Sequence, residues 1–183
     1  MKNLAVARRY AKALLLIGKE DGQAESYREE LTRIAGLIES EKALEQALLN
    51  PLYDAESRRR VLTAVIDKLN LSKVMSSFIV LLFEKRRIAF IKPISDFYAK
   101  LVDELRGIGR ATLVSAAELS SDTVDKIQSA LSKRTGKDIV LEVKQDPDLI
   151  GGIVTRIGDL VLDGSIKTQL LNMKETLKRG ESV

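Results

Sequence analysis

Residues 101–116, LVDELRGIGRATLVSA, carry the chain from one texture into another. Before Arg106-Gly107-Ile108-Gly109 the apolar residues recur at helical spacing, and after it they alternate as in a strand. Two glycines two positions apart at the end of a strongly helical stretch read as a helix stop and a hinge. Composition changes at the same place. All eight aromatic residues lie at or before Tyr98, and eight of the eleven glycines lie at or after Gly107. The expected organisation is therefore two domains, residues 1–105 and 106–183. The fold class is mainly α, a six-helix bundle followed by a small α+β domain.

Working back from the boundary, the first half reads as helix throughout. Asn3 is placed to cap a helix that runs to Gly18. Tyr27, Leu31, Ile34 and Ile38 repeat along a second, and Ser40 is expected to cap a short third ending at Asn50-Pro51. Asp54 opens a fourth, with Val61, Val65 and Leu69 on one face, and Asn70 breaks it. Ser72 caps a fifth that reaches about Arg87. A sixth runs from about Ile88 to Arg106, with Pro93 in its first turns, where it kinks the helix or marks its true start. Short connections between such helices give a compact bundle.

Forward from the boundary the order is strand, helix, three strands, helix. Arg110 to Ala116 is a strand. A helix with Val124, Ile127 and Leu131 on one face ends at Gly136. Ile139, Leu141 and Val143 then alternate as in a half-buried strand. Asp146-Pro147-Asp148 is a turn. Ile153 to Ile157 and Leu160 to Leu162 form a hairpin around Gly158-Asp159. A last helix, from about Ser165 to Lys178, carries Ile166, Leu170, Met173 and Leu177.

Composition excludes most catalytic chemistry. The 183 residues include no His, Cys or Trp, which removes His bases, thiolate nucleophiles and zinc sites built on either ligand. Lys plus Arg number 30 against 26 acidic residues, a surplus too small for a dedicated nucleic-acid binder. The longest apolar runs are six residues, Ala13 to Gly18 and Phe78 to Phe83, against the ~20 that a membrane span requires. Lys12 interrupts the apolar N-terminus, so this segment reads as the first helix of the fold and not as a signal peptide.

Several motifs invite a functional reading, and each has a plainer one. Gly151-Gly152 lacks the spacing of a phosphate loop and fits a bulge or a close backbone approach. Asp146, Asp148, Asp159 and Asp163 match no calcium loop and suit turns. Arg58-Arg59-Arg60 and Lys85-Arg86-Arg87 could contact phosphates, but Glu56, Asp67 and Glu84 offset them along a solvated helix face. No cofactor, metal or catalytic constellation emerges.

Two helices are too apolar for ordinary surface elements. At about 100° per residue, the apolar side chains of the first and fifth helices each fill an arc of roughly 200°, about twice the usual stripe. In the first, Leu4, Val6, Ala7, Tyr10, Ala11, Ala13, Leu14, Leu15 and Ile17 share the arc. In the fifth, Val74, Met75, Phe78, Ile79, Leu81, Leu82 and Phe83 do. Either both helices sit centrally with neighbours on two sides, or one edge of each stripe faces an external helix laid in a groove. On the second reading Val6, Tyr10, Ala13 and Ile17 face the groove, while Ala7, Ala11 and Leu14 face the core.

Four stretches together resemble the delta subunit of the F-type ATP synthase, the oligomycin sensitivity conferral protein family. They are ARRYAKALL (residues 7–15), KRRIAFI (85–91), VSAAELS (114–120) and DPDLIGGIVTRIGDLVLDGSI (146–166). The last is the specific one. The resemblance implies a non-catalytic stator subunit that holds the catalytic head to the peripheral stalk, so that rotation is coupled to ATP synthesis and ion transport. It implies that the N-terminal bundle binds N-terminal helices of the alpha subunits, one of them between the first and fifth helices. The motif positions it carries over are Tyr10, Ala11, Ala13 and Leu14, with Leu81 and Leu82 on the fifth helix; taken with the stripes, the residues expected to bind are Val6, Tyr10, Ala13, Leu14, Ile17, Met75, Phe78, Leu81 and Leu82. The C-terminal domain is expected to engage the b subunits, with Gly151, Gly152, Asp163 and Ser165 shaping its fold. The implied location is peripheral, on the cytoplasmic face of a bacterial membrane. The competing classes are a basic nucleic-acid-binding adaptor and a cytosolic scaffold.

Overall fold

The computed structural model describes residues 4–50, 52–158 and 160–180. The chain divides into two compact units between Asp103 and Glu104, two residues before the boundary read from sequence.

The first unit contains α1 (Leu4–Glu20), α2 (Ala24–Ser40), α3 (Lys42–Leu49), α4 (Ala55–Lys68) and α5 (Lys73–Glu84), then a 3₁₀ turn (Ile88–Phe90) and α6 (Ile91–Leu105). Local chemistry sets most of the ends. The Asp54 carboxylate accepts the Ser57 backbone N–H at 2.7 Å, and the Ser72 hydroxyl accepts that of Met75 at 3.3 Å. Asn70 takes a left-handed conformation (φ +49°) after α4, and Arg86 (φ +56°) after α5. The fifth helix therefore closes at Glu84, short of Arg87. Pro93 is the third residue of α6, where its missing N–H would have had no intrahelical partner. Asn3 and Pro51 lie outside the described residues.

Three sequence expectations are corrected. Ser40 is the last residue of α2 and donates its hydroxyl to the Leu37 carbonyl at 3.2 Å, while Glu41 precedes α3 without a side-chain cap. A hydroxyl that bonds backward in its own helix is not available to the next one. On α4 the buried residues are Leu62 and Ile66, flanked by half-buried Val65 and Leu69, and Val61 is exposed. Val61 lies about 100° round the helix from Leu62, at the margin of the stripe. Finally, α1 continues past Gly18 to Glu20. Gly18 is there for space, because a Cβ would stand 3.0 Å from both the Tyr98 hydroxyl and the Ala24 Cα.

The core joins Ala7, Ala11 and Leu14 of α1 to Leu31 and Ile34 of α2, Leu62 of α4, Met75, Ile79 and Leu82 of α5, and Ile94, Tyr98 and Val102 of α6. Burial of each large side chain contributes roughly 1.5–3 kcal/mol. Three polar contacts set the angles between helices. Tyr98 donates its hydroxyl to the Ala24 carbonyl at 3.0 Å, and burial pushes the phenol's pKa well up. Arg28 meets the buried Asp103 at 3.1 Å. The buried Glu30 carboxylate accepts the Ser72 backbone N–H at 3.0 Å and its hydroxyl at 2.8 Å, so a residue of α2 holds the start of α5.

The second unit contains β1 (Ile108–Ser115), α7 (Ser121–Thr135), β2 (Asp138–Gln145), a 3₁₀ turn (Pro147–Leu149), β3 (Ile153–Ile157), β4 (Leu160–Asp163) and α8 (Ile166–Gly180). The sheet order is β2-β1-β3-β4; β1 and β2 are parallel and the other pairs antiparallel. A parallel pair needs a crossover, which α7 supplies. Gly136 (φ +67°) ends that helix as expected. Ile127 and Leu131 of α7 pack on Ala111, Ile139 and Leu141. The alternation expected of β2 is buried at Ile139 and partly at Leu141, but Val143 is exposed, beyond the cover of α7. The strands on either side of Gly158 pair as a hairpin, and Asp159 lies outside the described residues.

The glycine pair has a structural purpose. Gly152 has φ +83°, and a Cβ on it would press into the Gly164 carbonyl oxygen; one on Gly151 would come within 2.6 Å of the Ile166 Cδ1. The start of β3 thus crosses the β4–α8 connection at backbone contact, tied by Gly164 N–H to Ile153 O at 2.9 Å and Ile166 N–H to Gly151 O at 3.0 Å. Asp163 accepts the Ser165 backbone N–H at 2.9 Å and the Thr168 hydroxyl at 2.8 Å, and the Ser165 hydroxyl accepts the Thr168 N–H at 3.2 Å. These bonds cap α8 and hold the Asp163 carboxyl below the usual carboxylate range; the Ser165 N–H is the largest cause, ahead of the Ser165 and Thr168 hydroxyls.

Three measurements check this account. Gly152→Ala should cost about 1–3 kcal/mol for the left-handed backbone alone, more with the clash, and lower the urea midpoint of the chain. Glu30→Ala should cost about 1.5–3 kcal/mol, because the Ser72 donors lose a charged acceptor. The folded Asp163 titrates below its unfolded value, so its contribution is complete above about pH 4 and is lost as pH falls through the lower folded value. The melting temperature of wild type should accordingly fall more steeply below pH 4 than that of Asp163→Asn.

Candidate functional site

The two over-wide stripes meet. The ring of Tyr10 on α1 stands edge-on to Phe78 on α5, with centroids 6.3 Å apart and planes at 70°. Around this contact each stripe divides into a buried and an open edge. On α1, Ala7, Ala11 and Leu14 are buried, Val6 and Tyr10 half-buried, and Ala13 and Ile17 exposed, Ile17 to 40%. On α5, Met75, Ile79 and Leu82 are completely buried, while Val74 is half-buried and Leu81 is 40% exposed. Val6, Ala13 and Ile17 are thus the open edge of α1 and Val74 and Leu81 that of α5, and the Tyr10–Phe78 contact is a point where the two helices meet.

This geometry redistributes the nine residues named from sequence. Val6, Tyr10, Ala13, Ile17 and Leu81 keep surface open to solvent. Phe78, only 8% exposed, is the α5 side of the aromatic contact. Leu14, Met75 and Leu82 are core residues with no surface to offer a partner. Stripe width can be counted from sequence, but its buried centre is set by where the neighbouring helices stand. Half-buried Val74, which is not among the nine, lies two helical turns before Leu81 on the same face and belongs to the same open edge.

The basic runs are largely occupied. The Arg58 guanidinium lies over the Phe83 ring at 5.7 Å and that of Arg87 over Phe90 at 5.9 Å. Arg59 pairs with Glu84 at 3.5 Å and Arg60 with Glu56 at 3.6 Å. Arg58, Arg59 and Arg86 line a cleft of about 800 Å³ together with Leu48, Leu49, Phe83 and Ile88, and Glu56 and Glu84 share its rim. The mixed charge offers no continuous positive stripe for a phosphate backbone.

Aspartates near the turns have local tasks. Asp146 accepts the Asp148 N–H at 3.0 Å, and Asp163 caps α8. Among the described residues no group of His, Cys, Asp or Glu could hold a metal ion, and no helix is long and apolar enough to cross a membrane.

Comparison with known proteins agrees with this architecture. The family model described as ATP synthase delta (OSCP) subunit matches residues 6–177. Two relatives named ATP synthase subunit delta match over their whole length and that of this chain. One, from Desulforapulum autotrophicum, is 62% identical, and one from Desulfosudis oleivorans is 61% identical. The fold is similar to that of a chain in the cryo-EM structure of the Toxoplasma gondii mitochondrial ATP synthase hexamer. That match has a TM-score of 0.68 at 18% identity and covers 93% of this chain and 96% of that one. With a family match over nearly the whole sequence and full-length relatives at such identity, the chain belongs to the ATP synthase delta (OSCP) subunit family.

Proposed function

We propose that this chain is the stator link of a rotary ATP synthase, a non-catalytic subunit that ties the catalytic head to the peripheral stalk. The observation that carries the reading is the Tyr10–Phe78 contact between α1 and α5, beside which each helix keeps an apolar edge open. On this reading the two open edges are the walls of a groove, of the kind that an amphipathic helix fills through residues at i, i+3, i+4 and i+7. The N-terminal helix of an alpha subunit is the partner proposed for it. Ala13 lets the incoming backbone come close, and the Tyr10 ring supplies apolar area with a hydroxyl at the rim. The division of labour proposed is head binding by residues 1–105 and stalk binding, through the b subunits, by residues 106–183. Association with the cytoplasmic face of a bacterial membrane would then be peripheral and indirect, through the complex.

The mechanical demand explains the kind of surface needed. A stator must resist torque without slipping, so slow dissociation matters more than fast encounter, and buried apolar contact serves that better than exposed charge pairs. The nucleic-acid alternative is not favoured, given the engagement of Arg58, Arg59, Arg60 and Arg87 with aromatic and acidic neighbours.

Calorimetric titration of the full chain with the N-terminal peptide of the cognate alpha subunit tests the proposal. Wild type should bind tightly. Ala13→Asp should leave stability within about 0.5 kcal/mol, since the position is exposed, yet abolish binding by placing an unpaired charge in the groove. Leu14→Ala is the contrast, costing about 2–5 kcal/mol of stability because that side chain is core. Binding that survives Ala13→Asp would move the site, and a folded wild type that does not bind would remove the reading.

A further inference from the structure

The cleft that α3, α4 and the end of α5 enclose plays no part in the proposed head contact. Phe83, on its wall, lies about 200° round α5 from Leu81, so the cleft is on the other side of that helix from its open edge. Its volume, about 800 Å³, is within the range of small-molecule sites, roughly 300–1,000 Å³. Leu48, Leu49, Phe83 and Ile88 give it apolar walls, and its charged groups are arginines and glutamates.

Those charges do not cancel. Glu56 pairs with Arg60 and Glu84 with Arg59, whereas Arg58 and Arg86 meet no carboxylate among the described residues. Half-buried Arg58 rests on the Phe83 ring, and its Nε–H is shielded from water with no acceptor among the described residues. A buried donor left in that state is rare in a native protein and calls for a partner. Arg86 stands against local preference. Its N–H bonds to the Phe83 carbonyl at 2.9 Å and that of Arg87 to the Leu82 carbonyl at 2.7 Å. This pair of bonds closes a helix through one left-handed residue, usually glycine. Here that residue is an arginine at φ +56°, and it lines the cleft. Backbone strain of this kind collects where a side chain is needed for a task.

We infer that the cleft binds a small organic anion with an apolar body, a carboxylate on a hydrocarbon chain or ring. The body lies against Leu48, Leu49, Phe83 and Ile88, and the carboxylate meets Arg58 and Arg86. A carboxylate taken side-on by a guanidinium bonds Nε and one Nη together. A turn of the flexible Arg58 side chain toward the ligand thus gives its Nε the acceptor that it lacks. Such a site stands whether or not the chain is a stator link.

Titration of the full, isotope-labelled chain with decanoate, followed by amide NMR shifts, is the test. Acetate carries the charge without the chain, and decanol the chain without the charge. Decanoate should give saturable shifts in residues 55–59 and 83–89, and each control should bind about tenfold more weakly or worse. Arg86→Gly should keep or raise the melting temperature, because glycine suits the left-handed position, and should weaken decanoate binding. Adding Arg58→Gln should bring the loss to about tenfold or more. Decanol binding as well as decanoate would overturn the inference, as would a wild type whose shifts do not saturate or fall on α1 or α8 instead. Affinity unchanged in Arg86→Gly and in the double variant would also overturn it. So would displacement of decanoate from the Ala13→Asp chain by the alpha N-terminal peptide, which would make the cleft a protein-docking surface.

Discussion

The structure of the first unit depends on how closely α1 can lie against its neighbours. Ala7, Ala11 and Leu14 form one buried edge, and Gly18 ends it where the Tyr98 hydroxyl and the start of α2 leave no room for a Cβ. The two alanines allow a close approach, and Tyr10, Leu15 and Arg8, the last over the Phe97 ring, add contacts beside this edge. The adjacent edge, with Val6, Ala13 and Ile17, is then left over and remains apolar. The open apolar edge is thus what remains of a broadly apolar helix once its buried edge is seated.

A second constraint acts on α5. The buried Glu30 takes both donors of Ser72, which in turn caps α5, so α2 fixes the point at which that helix begins. With the start of α5 held, Met75, Ile79 and Leu82 turn inward, and Val74 and Leu81 fall on the open edge. The polar contact lies inside the bundle, away from the proposed partner surface, and yet determines which residues that surface contains.

The second unit reaches its form through contact between backbones. Where Gly152 passes Gly164 only a chain without a Cβ fits, and the Asp163-Ser165-Thr168 bonds start α8 immediately afterwards. The stretch that carries the most specific resemblance to the family is therefore occupied with folding.

Much of this was legible in the residues. The helical period of the first half, its shift to alternation after Arg106-Gly107, the caps at Asp54 and Ser72 and the glycine stop at residue 136 are local properties, expressed within one turn or one strand. So was the excess apolar width of α1 and α5, which marked a surface beyond the needs of the core. What the sequence could not assign was the direction of burial. Leu14, Met75 and Leu82 differ from Ala13 and Leu81 only by angle around a helix, and their burial follows from where α2 and α6 stand. Ser40 bonding backward, Val61 at the margin of its stripe and the exposed length of α8 have the same origin. Local propensity decides which residues form each element, but only the simultaneous packing of all the elements decides which side of each one is covered.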